Sequence, residues 1–82
     1  MTTVPRAEDL TPAQRAAAEF LNVMGSHGSD HEDLEQFVPE GQTVESFLAS
    51  FPEGWLMPIG RDVALTPVAR TAWEAHVSSN LN

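Results

Sequence analysis

His27, Asp30, His31, Glu32 and Glu35 fall within nine residues, H-G-S-D-H-E-D-L-E, and are the first place in this chain to look for chemistry. Imidazole and carboxylate are ligands for a divalent cation. Two histidines four apart share a face only if the segment is helical, and Gly28 with Ser29 argues against a helix there. The zinc signature H-E-x-x-H is absent, because Glu35 stands where its second histidine is needed. His31 and Glu35, four apart, could share a surface ion. The competing reading is a solvated first helical turn, where acids complement the helix dipole. The expectation is no metal and no cofactor.

Other chemistries lack their parts. The chain has no cysteine, and Ser26, Ser29, Ser46 and Ser50 sit in no Gly-x-Ser-x-Gly context that would expose a nucleophile. No glycine-rich phosphate loop occurs. Paired-carboxylate hydrolysis needs a cleft that 82 residues are hard pressed to build. The chain reads as a non-enzyme.

What remains is charge. Four Arg, no Lys and 12 acids give a net charge of −8. Between Arg15 and Arg61 there is neither Arg nor Lys, yet that interval holds eight acids: Glu19, Asp30, Glu32, Asp33, Glu35, Glu40, Glu45 and Glu53. The two ends carry four acids against four Arg and cancel, so all of the net charge lies mid-chain. Spaced carboxylates of this kind suit docking on a basic protein surface. The plainer alternative is a solubilising face.

These residues need a scaffold. A chain of 82 residues predicts one domain of modest stability. Its apolar share, 41%, suffices for a single core. The opening M-T-T-V-P-R-A-E-D-L has neither a basic nor an apolar leader region. No run approaches the roughly 18 apolar residues that span a bilayer, so a cytoplasmic protein is expected. Residues 1–10 read as a flexible arm, 11–78 as the domain and 79–82 as a tail. Thr11-Pro12 caps a first helix, with Ala13, Ala17, Phe20, Leu21 and Met24 as its buried stripe and Gly25 as its end. Ser29 with Glu32 matches a capping box for a short acidic helix burying Leu34, Phe37 and Val38. Thr43 caps a third helix with Val44, Phe47, Leu48 and Phe51 inward, and each of these two helices stops at Pro-Glu-Gly. A hairpin with Gly60-Arg61-Asp62 at its tip follows, and Pro58 confines its first strand to an edge. Thr66-Pro67 opens the last helix, carrying Val68, Ala69, Ala72, Trp73, His76 and Val77. The fold class is mainly α with one small β-hairpin, in the order α-α-α-β-β-α.

That order, and the run R-D-V-A-L-T-P-V-A-R-T-A-W-E-A-H over residues 61–76, resembles the wing and C-terminal helix of winged helix-turn-helix regulators such as the MarR and PadR families. Leu65-Thr66 would be the strand-to-helix junction; Ala69 stands where those families usually place a glycine. The resemblance implies that residues 31–38 and 43–51 form a helix-turn-helix whose second helix enters the major groove. Charge speaks against DNA. The solvent positions of that helix are Glu45, Ser46, Ala49 and Ser50, with no Arg, Lys, Asn or Gln to read base edges or neutralise phosphate. Only Arg61, at the wing tip, could reach a groove.

The expected function is therefore a small, non-catalytic regulatory or inhibitory interaction module. Its partner-binding residues are Asp30, Glu32, Asp33, Glu35, Glu40, Glu45 and Glu53, which meet a basic, nucleic-acid-binding protein as a DNA mimic or phage-type inhibitor would. The rivals are a winged-helix transcription regulator and a structural accessory subunit. Trp55 is expected in the core, whereas Trp73, Val77 and Leu81 lie on one stripe that could form a homodimer face.

Overall fold

The first helix starts where its sequence says it should. Gln14 N–H donates to Thr11 Oγ1 at 3.2 Å and Thr11 N–H donates to Gln14 Oε1 at 2.9 Å, a reciprocal cap over Pro12. These bonds satisfy donors that a helix leaves open at its N-terminus. Helix α1 (Pro12–Met24) then runs until Gly25, whose φ of 66° breaks the helical path. Thr11→Ala should lower stability by about 1 kcal/mol, the usual worth of such a cap. Urea unfolding checks it: the midpoint should fall with its slope unchanged, and an unmoved midpoint would mean the cap contributes nothing.

This computed structural model describes residues 5–80, apart from the Asn80 side chain. Among the described residues, α1 is followed by α2 (His31–Leu34), extended by a tight 3-10 turn at Glu35–Phe37, and by α3 (Val44–Ala49). Strands β1 (Leu56–Ile59) and β2 (Asp62–Leu65) pair antiparallel, Leu56 against Leu65 and Ile59 against Asp62. Helix α4 (Pro67–Asn80) closes the fold. The order is helices, hairpin, helix, as the sequence predicts, in one body with a radius of gyration of 12.1 Å.

A single core ties the elements together. Leu21 and Ala18 of α1, Leu34 of α2, Phe47 of α3, Trp55 before the hairpin and Ala69 of α4 are almost fully buried in it. Phe47 and Phe51 meet edge to face at 5.5 Å, a favoured aromatic arrangement. Gln14 is buried as well, but its Nε2 donates to Ser50 Oγ at 2.9 Å and so joins the start of α1 to the end of α3. Thr66 clasps the hairpin to α4: its N–H donates to Trp55 O at 3.1 Å, its hydroxyl donates to Gly54 O, and Ala69 N–H donates back to that hydroxyl.

Four details depart from the sequence reading. Residues 5–10 pack rather than trail: Pro5, Ala7 and Leu10 are buried, Ala7–Asp9 form a 3-10 turn, and Arg15 Nε donates to Ala7 O at 3.2 Å. Apolar side chains so close to the start of α1 gain more from the core than from water. The rest of the expected arm, residues 1–4, lies outside the described residues. The cap of α2 is Asp30 rather than Ser29, with Asp33 N–H donating to Asp30 Oδ1 at 2.8 Å. Ser29 is unavailable because its backbone exchanges bonds of 2.8 and 2.9 Å with Val63, adding a bridge to the outer side of β2. Met24, expected inward, is exposed, while Ala18, left out of the expected stripe, takes a buried place on α1.

Candidate functional site

Helices α2 and α3, with the turn between them, enclose an open depression of about 700 Å³. Glu32 and Glu35 come from α2 and its 3-10 extension, Glu40 from the Pro39-Glu40-Gly41 turn and Glu45 from the first turn of α3. Local structure puts them there. Leu34 and Phe37 turn inward and carry Glu32 and Glu35 outward, while Thr43, accepting from Ser46 N–H at 3.1 Å, sets the start of α3 and hence the place of Glu45.

All eight acids between Arg15 and Arg61 are exposed. Among the described residues none of them is in an ion pair; the one such pair joins Arg6 and Glu8 at 3.6 Å, outside the interval. Glu8 is also held below the usual carboxylate range, first by its own backbone N–H, with Arg6 and His76 adding to the effect against some desolvation.

The seven predicted partner-binding residues divide. Glu32, Glu35, Glu40 and Glu45 share the depression. Asp30 and Asp33 sit at the start of α2 with local tasks, Asp30 as the cap and Asp33 accepting from Ser29 Oγ at 3.2 Å. Glu53 lies in the turn before Trp55 and does not line the basin. His31 does, a residue weighed in the sequence only for metal binding. Among the described residues no three of His, Cys, Asp and Glu converge as a metal site would require.

The stripe assigned to dimerisation is divided too. Trp73 is 6% exposed and packs into the protomer's own core, so little of its area is left for a second copy. Val77 remains at the surface, beside Val23 in a groove between α1 and α4, and Leu81 lies outside the described residues.

An apolar groove beside the basin escaped the sequence reading. Leu48 and Ala49 of α3, Leu56, Met57 and Pro58 of β1, and Val63 of β2 line about 350 Å³, rimmed by His31 and Glu45. Leu48, expected inward, is half-buried: it packs against the core and also forms part of the groove wall. Among the described residues no helix is long and apolar enough to cross a membrane. No protein-family model, curated protein or solved structure matches the chain.

Proposed function

We propose that this protein is a non-catalytic regulatory or inhibitory module, acting in the cytoplasm, whose acidic face docks on a basic surface of a partner protein. One observation carries the reading: eight carboxylates over residues 19–53 all face solvent, with no ion pair among the described residues to neutralise them. Such a face draws a basic partner in from a distance and rejects acidic ones, with an effect that salt screens over about 8–10 Å. A DNA-binding protein has the required basic groove, and the spaced carboxylates would stand in for phosphates there. A winged-helix regulator would share this element order, but α3 turns Glu45, Ser46, Ala49 and Ser50 to solvent, a face that repels phosphate.

The test uses tagged protein and extract from the source cells, at low and at high salt. Wild type should capture a basic partner at low salt and release it at high salt. A variant with Glu32, Glu35, Glu40 and Glu45 all changed to Gln should associate roughly tenfold more slowly or worse. Equal capture by both proteins would reject the proposal.

A further inference from the structure

Resting on that reading of the acidic face, we infer that the partner docks through a basic amphipathic helix, whose apolar anchor enters the groove between α3 and the hairpin while its Arg and Lys residues lie over the acidic basin. The two surfaces are continuous. His31 and Glu45 line both, so a side chain seated against Leu48, Met57 and Val63 has Glu45 at its edge and Glu32 and Glu35 beyond. Charge complementarity therefore selects the groove's occupant.

Two other occupants fit less well. A second copy of this chain would bring a net charge of −8 against the same carboxylates. None of its four Arg, at positions 6, 15, 61 and 70, lines the apolar groove. An added β-strand would need the free edge of β1. Val63 directs both its backbone bonds to Ser29, at 2.8 and 2.9 Å, so Val63 and Pro58 form a non-hydrogen-bonded pair. The position of Pro58's missing N–H thus faces outward, and the edge lacks a donor where a third strand would need one. A helix contributes side chains instead of backbone and has no need of that donor.

Three synthetic helical peptides test this against isotopically labelled protein, followed by amide NMR shifts. The first carries two Leu four residues apart among Arg. The second has both Leu changed to Ser, and the third keeps Leu but has Arg changed to Gln. The first should bind at least about tenfold tighter than either control, roughly 1.4 kcal/mol, and should move the amides of Ala49 and Met57. Ala49→Gln, at an exposed position that fills the groove, and Met57→Thr, which is compatible with a strand, should each reduce it to the level of the Ser peptide. If the two Arg peptides bind equally, with shifts confined to Glu32 through Glu45, the groove is overturned while the acidic docking face stands. If the Gln peptide binds as well as the first, charge does not select the occupant. If neither Arg peptide binds, both readings fail.

Discussion

Gly28→Ala should lower the unfolding free energy by about 3 kcal/mol or more, a large part of the roughly 4–12 kcal/mol expected for a domain of this length. Gly28 has φ 68° and ψ −163°. That region is open essentially to glycine alone and costs another residue about 1–3 kcal/mol of strain. Space adds to the penalty. A Cβ on Gly28 would sit 2.5 Å from Val63 O and 3.3 Å from the Ala64 Cβ. Backbone would have to move, and the backbone nearest is the Ser29–Val63 bridge that fixes the hairpin beside α2. Urea unfolding should show the loss, and hydrogen exchange at the Ser29 and Val63 amides should speed up first. A change below about 1 kcal/mol would mean that the bridge is not needed to hold the hairpin in place.

Trp55→Ala should remove about 3–5 kcal/mol, the usual range for emptying a large aromatic site in a core. Trp55 is fully buried at the point where α3, the hairpin and the base of α4 meet, and its carbonyl accepts from Thr66 N–H. Its Nε1, also buried, has no hydrogen-bond acceptor among the described residues. A buried donor without a partner costs about 1–3 kcal/mol, so Trp55→Phe should offset part of its lost volume and stay within about 1.5 kcal/mol of wild type. The pair of variants separates the ring from its N–H. If Phe proves as damaging as Ala, the N–H has a partner in solution and the account of this site is wrong.

The elements were legible wherever chemistry is local. Thr11-Pro12, Thr43 and Thr66-Pro67 announce helix starts because their hydroxyls answer open N–H groups a few residues on, and each does so here. Gly60 marks the hairpin tip because its φ of 61°, with no positive φ at Arg61, fits a two-residue turn that matches strand twist. Non-local facts were not legible. Ser29 looks like a cap in sequence and becomes a bridge only because Val63, far along the chain, reaches it. Residues 5–10 look polar and arm-like, yet Ala7 and Leu10 find the core once α1 and α4 are in place. The candidate site shows the same division. Its carboxylates could be read directly from the charge layout, while the groove beside them exists only because α3 and the hairpin come side by side, which no local pattern encodes.

The central claim is that charge on this face drives association, and the salt dependence of affinity for the captured partner measures it most directly. Affinity of the wild type should fall steadily as salt rises. The Glu32, Glu35, Glu40 and Glu45 to Gln variant should bind more weakly at low salt and show a flatter dependence. An affinity that ignores salt and is the same for both proteins would contradict the account.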